Sequence, residues 1–211
     1  ETADCIAVLK KCNAEGLKTL AITNSEFSTM DNLADDVLHI YAGKEIAVAS
    51  TKAYIAQVVV LSILARACSI EKTNLKNNLN KVALAIEEVF NNREIIKSIS
   101  TKIINAKNVF YIGRGLDYLT SLESALKLKE ISYIHTEGYA SGELKHGTIA
   151  LIDKKTPVIA IITQATTNLI TRSNLQETVS RGAIPIVISN ELCSNNDDDF
   201  IIPDVAHYLS P

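Results

Sequence analysis

Residues 111–151 read YIGRGLDYLTSLESALKLKEISYIHTEGYASGELKHGTIAL. The apolar run Val109-Phe110-Tyr111-Ile112 stops at Gly113-Arg114-Gly115. A strand that ends on glycines lets backbone N–H groups approach an anion with no Cβ in the way. A helix-period segment follows, with Leu119, Leu122, Leu126 and Ile131 expected on one apolar face. Lys127 and Glu130 stand at i and i+3, so they are neighbours on that helix. Downstream comes His146, within Glu143-Leu144-Lys145-His146-Gly147. A cation, a carboxylate and an imidazole near a glycine-rich strand end are the material of proton transfer on a phosphorylated substrate.

The composition allows one large or two small domains in 211 residues, and 47% apolar residues are enough for a sizeable core. The net charge of −3, with both signs interspersed, shows no basic stripe for nucleic acid and no polybasic cluster for a membrane surface. An anionic ligand must then be held by local N–H groups and dipoles. The longest apolar stretch, residues 53–67, contains Gln57 and Arg66 and falls short of the roughly 20 residues of a membrane span. No signal peptide opens the sequence. Cys5, Cys12, Cys68 and Cys193 form no CxxC pattern. Cys5 and Cys12 would lie about 10 Å apart on one helix, too far for a disulfide. The four are expected to be buried thiols of a reducing, cytoplasmic protein. No metal-ligand spacing appears, and no cofactor is expected.

Thr2 is expected to cap a helix that stops at Gly16. Residues 17–23 read as a strand, 25–36 as a polar loop, and 37–41 as a short strand. Ser50 or Thr51 is expected to cap a long apolar helix to about residue 69. Residues 74–92 are amphipathic through Leu75, Leu79, Val82, Ile86 and Val89. Residues 93–105 continue in helical period. After the central stretch, strands are expected at 156–163, 183–189 and 200–203, with a polar helix at 167–181.

AEGLKTLAITN at 14–24 resembles SRGAIPIVISN at 180–190, and each copy leads into an acidic loop and a short strand. The repeat predicts two α/β domains with parallel sheets. The expected boundaries are 1–73 for the first domain, 74–100 for a helical connector and 101–211 for the second. The first copy begins inside a helix, so upstream strands are expected in a longer chain.

Four stretches resemble one family. ETAD at 1–4 looks like the tail of a phosphate loop. EIAVASTKAY at 45–54 resembles the family's EI-x-VASTKAF signature. ESALKLKEISY at 123–133 and ELKHG at 143–147 resemble a second pair of signatures. Together they are similar to the isomerase half of the glutamine–fructose-6-phosphate aminotransferases (glucosamine-6-phosphate synthases), a half built of two sugar isomerase (SIS) domains. Thr148 stands where the family usually has proline. The resemblance implies two three-layer α/β/α domains with parallel sheets, the first truncated at its start and the second lacking its end. It also implies a separate glutaminase domain in the full-length chain, and a piece not competent for catalysis alone.

By spacing alone, Glu130 is a solvated carboxylate paired with Lys127 or Lys129. The resemblance makes it the base that moves a proton between C1 and C2 of the sugar. Lys127 by itself is a partner of Glu123; by resemblance it helps shuttle protons. His146 by itself is a loop histidine. By resemblance it opens the sugar ring in the neighbouring subunit's site, which implies a homodimer. Thr2 and Ser50 are ordinary caps, and the resemblance makes them, with the Val48 backbone, ligands of the sugar phosphate. His39, His135 and His207 match no motif. Two other functions fit parts of the pattern: a glutaminase-free SIS deaminase or deglycase, and a non-catalytic sugar-phosphate sensor. The Lys127, Glu130 and His146 set argues against the sensor, since binding needs no base.

Overall fold

The computed structural model describes residues 2–70 and 73–210, so Glu1 of the ETAD stretch lies outside the described residues. The chain divides into two compact units, Glu1–Leu75 and Lys76–Pro211.

In the first unit, α1 (Ala3–Ala14) is followed by β1 (Leu20–Thr23), α2 (Thr29–Leu33), β2 (Asp36–His39) and α3 (Lys52–Cys68). Gly16 ends α1 as expected, at φ +70°. Its N–H donates to Asn13 O and the Leu17 N–H to Cys12 O, the paired bonds of a glycine-terminated helix. That cap uses Leu17, so β1 starts at Leu20 rather than Leu17. β1 and β2 are parallel, with Leu20 opposite Asp36. The Asp35 carboxylate fixes the pair by accepting from Thr19 N (2.8 Å) and Thr19 Oγ1 (2.9 Å). Within the expected loop, Ser28 Oγ accepts from Asp31 N and starts the short helix α2.

The second unit carries α4 (Leu75–Asn91), α5 (Arg93–Thr101), β3 (Asn108–Gly113), α6 (Leu116–Ser132), β4 (His135–Ala140), β5 (Pro157–Ile162), α7 (Asn168–Val179), β6 (Ile184–Asn190) and β7 (Phe200–Ile202). The five strands form one parallel sheet in the order β4-β3-β5-β6-β7. The connection through α6 moves one way along the sheet and that through α7 the other. Right-handed crossovers then put the two helices on opposite faces. The core agrees. Phe110, Ile112, Val158, Ala160 and Ile162 meet Leu175 of α7 on one face. Val109, Ile159 and Ile186 meet Leu128 of α6 and Ile99 of α5 on the other. Every residue of β5 is buried, as a strand covered on both faces requires. Each buried Val, Leu or Ile contributes about 1.5–3 kcal/mol.

The repeat is visible in the ladders. β6 and β7 are parallel like β1 and β2, and Asp199 Oδ2 accepts from Val187 N at 2.8 Å much as Asp35 does from Thr19.

Three expectations are corrected. β4 forms where no strand was expected. The leucine stripe of α6 is exposed: Leu119 at 56%, Leu122 at 41% and Leu126 at 42%. The buried face is instead Asp117, Ser121 and Ala125. The reason is close packing. A Cβ on Gly113 would stand 2.4 Å from the Asp117 carbonyl, and one on Gly138 would stand 2.8 Å from Ser121 O, so only small side chains fit between helix and sheet. Finally, of the four thiols only Cys193 is buried; Cys5 and Cys68 are exposed and Cys12 is intermediate. Among the described residues, no helix is long and apolar enough to cross a membrane.

Candidate functional site

Helix α6 brings Glu123, Lys127 and Glu130 together on a half-buried strip beside its close-packed face. Lys127 Nζ lies 2.8 Å from Glu130 Oε2 and 3.5 Å from Glu123 Oε1. Glu130 Oε2 is covered, and its close contact with Lys127 is an ion pair without a well-aligned hydrogen bond. The Glu130 carboxylate, with Glu123 adding to it, holds the Lys127 ammonium above its ordinary pKa. A cation kept charged beside a carboxylate that still has room to accept a proton suits general-base work. Lys129 is exposed, off this strip.

His146 ends a 3₁₀ turn, Leu144–His146, pinned by the buried Leu144. Gly147, at φ +144°, turns the chain into a second 3₁₀ segment, Thr148–Leu151. Thr148 Oγ1 donates to Leu144 O at 3.1 Å and ties the two turns together. The His146 ring is exposed, and among the described residues it makes no side-chain hydrogen bond or ion pair. The structure therefore pairs Lys127 with Glu130 but joins His146 to neither.

Thr2, Val48 and Ser50 lie in the first unit. Thr2 is the N-cap of α1 without a side-chain cap bond; its hydroxyl reaches Cys5 Sγ at 2.9 Å. Val48 is 91% exposed. Ser50 does not cap α3, and Thr51, the N-cap residue, makes no side-chain cap bond. Glu45 supplies the cap: its Oε1 accepts from Ala53 N (3.0 Å) and Ser50 Oγ (3.1 Å). The Ala53 N–H is the main cause that holds the Glu45 carboxyl below the usual carboxylate range. The start of α3 thus attracts an anion, as a helix N-terminus with donors should, and here a side chain of the same unit answers it.

The carboxyl end of the second sheet holds a polar cluster that spacing did not reveal: Asp117, Thr163, Gln164, Asn190 and Ser210. Among the described residues, no group of His, Cys, Asp and Glu side chains is placed to hold a metal ion.

The family model of the SIS domain matches residues 1–67 and 102–210. The chain belongs to the SIS domain family. Over 217 aligned residues it is 50% identical to a protein named glutamine–fructose-6-phosphate aminotransferase [isomerizing] from Staphylococcus aureus (strain N315), covering 100% of this chain. A relative of the same name from Staphylococcus epidermidis is 49% identical. The chain spans 36% of the length of these curated relatives. Among solved structures, the C-terminal domain of glucosamine-fructose-6-phosphate aminotransferase from Francisella tularensis superposes with a TM-score of 0.87 at 33% identity, covering 100% of this chain and 63% of that one. A glucosamine-6-phosphate deaminase from Thermotoga maritima shares the SIS fold, at TM-score 0.77 and 22% identity.

Proposed function

We propose that this chain is the isomerase part of a glutamine–fructose-6-phosphate aminotransferase, which turns fructose 6-phosphate and glutamine-derived ammonia into glucosamine 6-phosphate. The observation that carries the reading is the Lys127–Glu130 pair at 2.8 Å, with a covered Glu130 oxygen free of any well-aligned hydrogen bond. In this reading Glu130 takes a proton at C1 of the opened, imine-bearing sugar and returns it at C2. Lys127 steadies the carboxylate's charge before it takes the proton and again after it returns it. Thr2, Ser50 and the Val48 backbone hold the phosphate, with Glu45 yielding the start of α3 to it. The two units are read as two SIS domains, a glutaminase domain as part of the full-length chain, and the cytoplasm as the setting.

The deaminase alternative is supported by fold alone, whereas identities of 49–50% favour the aminotransferase. The direct test is to supply the full-length protein with fructose 6-phosphate and glutamine. Glucosamine 6-phosphate is the expected product; release of ammonia from glucosamine 6-phosphate with no synthesis would favour the deaminase.

The exposed His146 ring, without a side-chain partner among the described residues, supports its action in a neighbouring subunit. Full-length His146→Ala and Glu130→Gln proteins should each retain only a small fraction of wild-type activity alone. After subunit exchange, a hybrid dimer has one intact site, and up to half of a wild-type dimer's activity should return. No recovery despite proven exchange would remove the shared site.

A further inference from the structure

The loop from Ser141 to Gly147 carries His146 away from the end of β4. The His146 ring has no side-chain partner of its own among the described residues, so its place is set by how the loop is held. The end of β3 takes the loop's first residue: Ser141 N donates to Gly113 O at 2.8 Å. The core takes its middle, where Leu144 is 2% exposed in one apolar cluster with Leu175 of α7. Within the loop, Glu143 N donates to Ala140 O (2.8 Å) and His146 N to Glu143 O (3.0 Å). These tight turns carry a shift at Ser141 on to His146.

Helix α7 grips the loop through polar groups as well. Asn174 Nδ2 donates to Ser141 Oγ at 3.0 Å. Asn174 is 7% exposed and Ser141 1%. Burial strips water from both groups, so the bond adds little net stability. Helix and loop already meet through Leu144 and Leu175. What the bond adds is direction, a fixed distance between partners that apolar packing alone would let slide. One turn further along α7, Glu177 Oε1 lies 3.7 Å from Lys145 Nζ. Both of those side chains are 43% exposed, and a pair so open to solvent holds loosely.

We infer that Asn174 is a positioning residue for His146, acting through Ser141. The inference rests on the reading of His146 as the group that opens the sugar ring.

The probe is 5-deoxyfructose 6-phosphate, which lacks the hydroxyl that closes the furanose ring and so arrives already open. In the full-length protein, Asn174→Leu should lower turnover of fructose 6-phosphate by about 10- to 100-fold at unchanged KM, the cost of misplacing a reacting group by about 1 Å. Turnover of the open-chain probe should stay near the wild-type value. Ser141→Ala removes the same bond with a smaller change and should give the same selective loss. The double variant should lose no more than either single one, because both act on one bond. An equal loss on both substrates, or no loss on either in a folded protein, overturns the inference. His146→Ala, assayed on the same two substrates, tells the two failures apart. If it lowers both alike, the ring-opening reading falls and the inference with it. If it is selective while Asn174→Leu and Ser141→Ala are not, the reading stands and Asn174 has no part in it.

Discussion

Glu130→Gln in the full-length protein is expected to lower glucosamine 6-phosphate formation by about 10²- to 10⁴-fold, the usual worth of a general base. The glutamine keeps the length and polarity of the side chain but cannot take the proton. The fold should tolerate the change, because Lys127 retains Glu123 at 3.5 Å as a partner. Affinity for fructose 6-phosphate should change little, since the proposed phosphate ligands, Thr2, Val48 and Ser50, belong to the first unit. A purely structural ion pair gives the opposite pattern. Glu130 and Lys127 are 27% and 21% exposed, and loss of a pair so close to solvent costs about 0–1 kcal/mol. Turnover would then stay near the wild-type value. Steady-state kinetics and a urea unfolding curve on the same protein separate the two.

Arg172→Met should produce the largest loss of stability, about 3–5 kcal/mol, as expected when one partner of a buried ion pair is removed. Arg172 holds Asp198 through two bonds of 2.7 Å. Asp198 is 2% exposed and also accepts from Ser189 Oγ at 2.6 Å and Asn195 N at 3.0 Å. It therefore fixes the acidic loop ahead of β7. Burial pushes the Asp198 carboxyl up, but the Arg172 and Ser189 bonds outweigh it and the pKa lies below the usual carboxylate range. A depressed pKa contributes stability above the unfolded carboxylate value, and that contribution is lost as pH falls through the folded value. In the methionine variant burial acts without Arg172, so ionising Asp198 destabilises the fold instead. The gap between wild type and variant should be widest at neutral pH and narrow in acid. Urea midpoints at the two pH values check this, and a gap independent of pH would assign the loss to packing.

The parts of the fold legible in the sequence are those whose burial is two-sided. β5 is apolar at almost every position, and β3 and β6 are nearly so; all three were readable as parallel strands. β4 was not, because it lies at the sheet edge with β3 as its sole strand neighbour among the described residues. An edge strand tolerates His135, Thr136, Glu137 and Gly138, which carry no apolar signal. The face of α6 was misread for a different reason. Periodicity locates the leucines but does not say which stripe meets the sheet. Gly113 and Gly138 decide that by admitting only Asp117, Ser121 and Ala125. Their effect depends on contacts between elements, which periodicity along one helix does not register.

The candidate site divides in the same way. Lys127 and Glu130 were legible because i and i+3 on a helix fixes their proximity. The role of His146 came only through the resemblance of ELKHG to a family signature. Glu45 was missed as the partner of Ser50 because its reach to α3 depends on the backbone path between them. Asp117 was missed because its partner Thr163 is 46 residues away, and no local pattern links them.

The central claim is that Glu130 moves the proton. The measurement closest to it is exchange of solvent deuterium into C1 of fructose 6-phosphate bound to the full-length protein, without glutamine turnover. The Glu130→Gln protein should exchange about 10²- to 10⁴-fold more slowly than the wild type while binding the sugar phosphate equally well. Exchange at the wild-type rate in that variant would mean that another residue carries the proton, and the role given to Glu130 would be wrong.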